Sequence, residues 1–228
     1  MGKNKLERFE YLHRCSIIYQ NFDPLMPNLI HMEEDIGTLS GEWRKKHFKN
    51  YNPIILELAC GGGEYTVNLA MQFPDKNFIG VDIKGARIWK GAKIAMKNSL
   101  DNVAFLRTRI EQICNFFGTD EVDEIWITFP DPFLRASKEN KRLTSNPFLD
   151  MYNKILKKNG LIHLKTDDDT LYDFTMLTLQ NREGANILYT NNDIYASPLK
   201  FETLAFKTYY EVSHLSIGRT IKYIQFTI

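Results

Sequence analysis

From Pro53 onward the chain alternates short apolar runs with amphipathic stretches. The runs IILELA (54–59), NFIGVD (77–82), VAFLRT (103–108), VDEIWIT (122–128, with EIWIT its apolar end) and LIHLKT (161–166) are rich in β-branched and aromatic residues and predict strands. Between them, residues 64–73, 85–98, 111–117, 147–156 and 170–180 predict helices. Such alternation implies a parallel sheet covered by helices on both faces, an α/β fold. The flanks read differently. The first fifty or so residues have helical periodicity up to Tyr19, then the turn-rich FDPLMPN, then a charged approach to Pro53, and read as an N-terminal extension over 1–52 ahead of a main domain over 53–228. After residue 180, 187–189 and 222–228 predict strands of a closing antiparallel hairpin, around a mixed segment that contains KTYYE.

Composition narrows the class without choosing a function. With 228 residues, 43% of them apolar and 25% charged, the chain is sized for one well-buried α/β domain. No run approaches the roughly 18 apolar residues of a membrane span, and the N-terminus MGKNKLERFEYLHR is too polar for a secretory signal, so a cytoplasmic protein with no membrane contact is expected. Cys15, Cys60 and Cys114 are odd in number and far apart, with no CxxC or His-x-His companion; they read as reduced structural thiols, and no metal site is expected. A net charge of +1 is far from that of a general polyanion binder, so any nucleic-acid contact must be local. The local patches are the loop after residue 129, the cluster Trp43-Arg44-Lys45-Lys46-His47, and the row Lys84, Arg87, Lys90, Lys93, Lys97, which also reads as a solvated helix face.

Three stretches carry candidate chemistry. In FPDPFLRASKENKR (129–142) a buried strand ends in a lone carboxylate, Asp131, between two prolines, and then enters a basic loop. In open α/β sheets that edge is where ligands bind. In ELACGGGE (57–64) three glycines at a strand-to-helix turn let a ligand approach the backbone. A dinucleotide fingerprint needs a further glycine where Thr66 stands, whereas Glu57 suits a cofactor that carries an amino group and a sulfonium. Asp82 closes the next strand, where a carboxylate can accept from both ribose hydroxyls; it suits nicotinamide and methyl-donor folds alike, and also reads as a helix N-cap. Asp167 heads a triple aspartate before a helix, and Thr208 and Glu211 stand three apart; both features also read as helix capping.

Taken in order, GGGE, GVD, FPDPF with its trailing KR, LKTD and TYYE resemble the bacterial tRNA (guanine-N7-)-methyltransferases, from about Ile54 to the C-terminus. The resemblance implies a class I methyltransferase (Rossmann-like) fold, with a seven-stranded, mostly parallel sheet, helices on both faces and a C-terminal antiparallel strand. It implies S-adenosyl-L-methionine as methyl donor and the variable-loop guanosine of tRNA as acceptor, in a monomer or homodimer. Carried over by motif, Glu57, Gly61, Gly63, Asp82 and Arg109 would hold the cofactor together with Asp131, which would also be the catalytic acid. Arg135, Asp167, Thr208 and Glu211 would bind the substrate guanine, and Ser137, Lys138, Lys141 and Arg142 would contact RNA. The chain departs from the family pattern in four places. Ala59 replaces a glycine, tolerable if the backbone there is ordinary β. Arg109 replaces an acid beside the adenine, a role that could pass to Glu111. Phe133-Leu134 replaces Trp-Pro, and the basic loop has fewer cations. The same residues leave open a methyltransferase of this fold that acts on a small molecule or protein, and a non-catalytic RNA-binding subunit.

Overall fold

The computed structural model describes residues 3–228. Helix α1 (Lys3–Arg14) is followed by three short strands, β1 (Ile18–Gln20), β2 (Ile30–His31) and β3 (Glu34–Asp35), and by a π-helical turn, Trp43–Phe48. The main alternation then runs β4 (Ile54–Leu58), α2 (Glu64–Gln72), β5 (Asn77–Asp82), α3 (Gly85–Lys97), β6 (Val103–Arg107), a 3-10 turn (Ile110–Asn115) and β7 (Val122–Thr128). After a second 3-10 turn (Ala136–Lys141) come α4 (Asn146–Ile155), β8 (Leu156–Thr166), α5 (Asp169–Gln180), β9 (Asn186–Asn191), a short turn (Glu202–Ala205), α6 (Tyr209–Ser216) and β10 (Lys222–Thr227).

All ten strands form one sheet in the order β3-β2-β1-β6-β5-β4-β7-β8-β10-β9. The seven strands from β4 to β10 are the expected core, parallel except for β10, which runs antiparallel to both β8 and β9. The expectation of seven strands falls short by three, because the N-terminal segment enters the same sheet: β1 lies parallel to β6, with Ile18 opposite Phe105, and β2 and β3 turn back antiparallel at the edge. The helical periodicity expected up to Tyr19 stops at Arg14 for the same reason. Cys15 closes a turn by accepting from Ile18 N at 3.1 Å, and β-branched Ile17 and Ile18 are better placed against the pleat of β6 than in another helical turn.

Alternation along the strands separates two cores. Ile54, Leu56 and Leu58 of β4 face Phe148, Leu149 and Tyr152 of α4 and Leu171 of α5, together with Trp43 and Phe48. Ile55 faces the opposite side, where α1, α2 and α3 pack through Leu12, Val67, Leu69, Ile88, Ala92 and Ala95. The buried positions 88, 92 and 95 of α3 recur three and four apart, and the small residues Gly91, Ala92 and Ala95 let the helix lie close to the sheet. Strand order reverses between the parallel neighbours β4 and β7: successive strands run β4, β5, β6 one way and β7, β8 the other. The carboxyl ends of β4 and β7 therefore splay around a crevice. Among the described residues no helix is long and apolar enough to cross a membrane.

Candidate active site

A cleft of about 840 Å3 opens at that crevice, walled by the turn after β4, the end of β5, the loop after β7, the end of β8 and the start of α6. Of the predicted site residues, Gly61, Asp82, Arg109, Asp131, Lys141, Asp167 and Thr208 line it.

Gly61 has φ +56° and open space where a Cβ would stand, so the turn exposes bare backbone to the cleft. Its N–H donates to Asp82 Oδ2 at 2.9 Å, and Lys84 N–H donates to Asp82 Oδ1 at 2.7 Å. Each oxygen of Asp82 keeps a lone pair for a ligand hydroxyl. Gly63 and Glu57, expected at the cofactor, stand behind the cleft wall. A Cβ on Gly63 would meet Phe105 at 2.5 Å, so that glycine is required by packing against β6 and does not reach the cleft. Glu57 points into the α2 side of the sheet, 3% exposed. It accepts from Thr128 Oγ1 at 2.6 Å, from Thr66 N at 2.8 Å and from Thr66 Oγ1. The first turn of α2 thus draws this acid to itself, as helix N-termini do. Burial pushes the Glu57 carboxyl up to about 7 against those three donors. The expectation for Ala59 is corrected: its φ is +58°, left-handed and not ordinary β, so the turn that a glycine would form freely is strained here.

Asp131 is exposed at the mouth of the cleft and accepts from Phe133 N at 3.0 Å. Phe129 and Phe133 on either side have φ +48° and +43°, so left-handed backbone brackets the acid. Strain of this kind persists where surrounding structure enforces it, and it clusters at functional sites. The enforcement comes from Arg142. Expected at RNA, it is 4% exposed, donates to Pro132 O at 2.9 Å and Phe133 O at 3.1 Å, and lies over the Phe174 ring at 4.4 Å. Its guanidinium braces the FPDPF loop from beneath. Arg135, Ser137 and Lys138 are exposed outside the cleft wall.

Across the cleft, Asp167 is held by His214 Nδ1 at 2.9 Å and by Arg219. Asp168, not Asp167, caps α5 by accepting from Leu171 N at 2.8 Å, which leaves Asp167 to the cleft. Thr208 and Glu211 form a reciprocal capping box on α6. Glu211, expected at the substrate, lies behind the cleft wall. It is fully buried, accepts from Tyr195 OH at 2.6 Å and pairs at 2.8 Å with Lys165, itself fully buried. Tyr209 and Tyr210 are exposed, and Tyr210 lines the cleft. Sequence reasoning passed over His214, Arg219 and Thr108. The capping box marks a helix start, and Tyr210 and His214 follow it four apart on one face, a signal present in the sequence.

The donor set fits an adenosine-type sulfonium cofactor. Thr108 Oγ1 is buried in the cleft wall with no partner, a polar atom aimed where a ligand would satisfy it. Ile83 and Ile110 add apolar walls beside Asp82. A pyrophosphate fits less well, because Glu64 carries negative charge in the first turn of α2.

Comparison with known proteins agrees with this geometry. A family model described as "Putative methyltransferase" matches residues 51–223. A tRNA (guanine-N(7)-)-methyltransferase of Christiangramia forsetii is 47% identical over all of this chain and 99% of its own length. One from Bacteroides fragilis is 46% identical over all of this chain and 87% of its own. Among solved structures, the 16S rRNA methyltransferase KamB superposes with a TM-score of 0.64 at 16% identity, covering 86% of this chain and 96% of its own. An antibiotic-related methyltransferase gives 0.58 at 19% identity over 82% of this chain and 93% of its own, so the likeness to both is one of fold.

Proposed function

We infer, from a chain that belongs to the tRNA (guanine-N(7)-)-methyltransferase family, that it is the enzyme that methylates N7 of guanosine in tRNA, with S-adenosyl-L-methionine as donor. We further propose that the target is the variable-loop guanosine and that the enzyme acts in the cytoplasm. The observation that carries the reading is one cleft that joins the glycine turn and Asp82 on one side to Asp131 and Asp167 on the other.

When bound, S-adenosyl-L-methionine supplies an electrophilic methyl carbon on a cationic sulfur, which a purine nitrogen with a free lone pair can attack without a strong base. In this proposal Gly61, Asp82 and Thr108 hold the cofactor, while Asp131 and Asp167 accept from the N1 and N2 hydrogens of guanine. Two carboxylates so placed select guanine over adenine and favour the positive charge that N7 attack leaves on the ring. The residues mainly position the partners, and a well-oriented pair gains several orders of magnitude in rate from that alone. Arg219 and His214 lie against Asp167 and aim its carboxylate into the cleft.

The test is transfer of labelled methyl from S-adenosyl-L-methionine to unmodified tRNA transcripts, with a variable-loop guanosine-to-adenosine transcript as control. Incorporation that disappears in the control supports donor and target together; equal incorporation in both moves the target elsewhere.

A further inference from the structure

The cation row on α3 gains a second wall in the structure. Along its 13 residues α3 carries Arg87, Lys90, Lys93 and Lys97 and no acid. Arg87 lines the catalytic cleft. Further along, Trp89 and Lys93 line a separate groove of about 410 Å3, whose opposite wall is Glu7, Arg8 and Tyr11 of α1. The Arg8 guanidinium lies 4.8 Å and the Lys93 ammonium 5.1 Å from the Trp89 ring centroid, and Tyr11 meets that ring edge-on at 6.4 Å. Lys90 is answered by Glu64 at 2.5 Å, whereas Arg87, Lys93 and Lys97 have no carboxylate partner among the described residues. A merely solvated face alternates its charges. An unneutralised row with an aromatic ring set among the cations is instead the make-up of surfaces that track a nucleic-acid backbone.

We propose that the α1–α3 face docks the ribose-phosphate backbone of the tRNA, continuing from the cleft past Arg87 to the groove at Trp89; this rests on the tRNA reading above. From Arg87 to Lys97 the helix rises about 15 Å, a length over which a nucleic-acid strand presents several phosphates. The loop that sequence favoured for RNA is the poorer surface: Glu139 lies between Lys138 and Lys141, and Arg142 is turned inward. The charge needed to hold a polyanion is on the other side of the cleft, where the N-terminal helix completes it.

The test compares the full chain with Lys93→Glu/Lys97→Glu and, as a control of equal charge change elsewhere, Lys45→Glu/Lys46→Glu. Binding of unmodified tRNA is followed by fluorescence anisotropy across a salt series, with steady-state methylation and calorimetric S-adenosyl-L-methionine binding alongside. The α3 variant should bind tRNA at least ~10-fold more weakly at low salt and lower the log–log salt slope by about two. Its kcat at saturating tRNA and its cofactor affinity should stay at the parent level, and Lys45→Glu/Lys46→Glu should bind as the parent does. Unchanged tRNA affinity in the α3 variant overturns the proposal, and so does an equal loss in the control, which would follow net charge alone. A parent that binds cofactor but neither binds nor methylates tRNA strikes the functional reading itself and is told apart by that pattern.

Discussion

Single residues here separate ligand from support by what already occupies their polar atoms. Asp131 has one oxygen turned to its own loop and is otherwise exposed at the cleft mouth, whereas every described partner of Glu57 belongs to the fold. Asp131→Asn keeps the acceptor for Phe133 N–H and loses the charge. It should lower kcat/KM for tRNA by about 100-fold or more while cofactor affinity by calorimetry changes less than about twofold. Glu57 makes a different prediction. Its carboxyl is raised from an ordinary 4.5 to about 7, so the folded state holds a proton that the unfolded state releases. Its contribution is fully present below pH 4.5 and is lost as pH rises towards 7, a change of about 3 kcal/mol. Glu57→Gln can still accept from Thr66 and donate to Thr128, and should flatten urea-measured stability over that window; a slope equal to that of the parent would assign the titration to another group. Ala59 holds a left-handed φ without a glycine's freedom, so Ala59→Gly should raise stability by about 1 kcal/mol in urea unfolding. The acids were legible one by one, because strand ends and triple aspartates are written in the sequence. Which of them faced a ligand was not, because that depends on Thr66, Thr128, Lys165 and Arg219, residues brought from other elements.

Among the elements, α6 shows most clearly how a wall of the site is fixed. Lys165 Nζ donates to Leu204 O at 3.1 Å and Phe206 O at 3.0 Å besides pairing with Glu211, so one buried ammonium ties β8 to the segment that leads into α6. Burial pulls the Lys165 ammonium below its ordinary range, and Glu211 opposes that pull. A buried pair of this kind gives little net stability, yet removing one partner leaves an uncompensated charge. Lys165→Met should therefore cost about 3–5 kcal/mol, and Lys165→Met/Glu211→Leu should recover much of that loss in thermal or urea unfolding. The recovered fold should remain a poor methyltransferase, because Tyr210 and His214 depend on the anchored start of α6. Equal losses in the single and double variants would remove the charge-pair account. Strands β4 to β7, β9 and β10 and helices α2 to α5 were readable from periodicity to within a few residues, whereas β8 begins at Leu156, five residues before the expected 161, and the helix expected over 111–117 is a 3-10 turn. α6 was hidden by its composition: Tyr209, Tyr210 and Val212 are exposed, so it lacks the broad apolar stripe that marks the others.

For the whole molecule, the α/β core and its parallel order followed from alternation, and the family motifs fell at the carboxyl edge where such a sheet binds ligands. The N-terminal strands were not legible, since runs of two or three residues carry no periodicity and are strands only because the edge of β6 offers them a partner. His47 in the π-helical turn gives this region a pH signature. Burial beside Tyr19 pushes its imidazole down to about 4 from 6.5, so its stabilising contribution is intact above pH 6.5 and is lost as pH falls through 4. His47→Gln should remove that part of the acid unfolding, followed by the fluorescence of Trp43, which stacks on Phe117 at 5.5 Å. The pairing of β1 with β6 has a further consequence in time. On the ribosome β1 is made well before the strand it lies parallel to: β6 emerges only after β4 and β5, and until then β1 has only the short β2 to pair with. A nascent chain held at β5 thus carries β1 without its parallel partner, waiting on a strand more than eighty residues downstream.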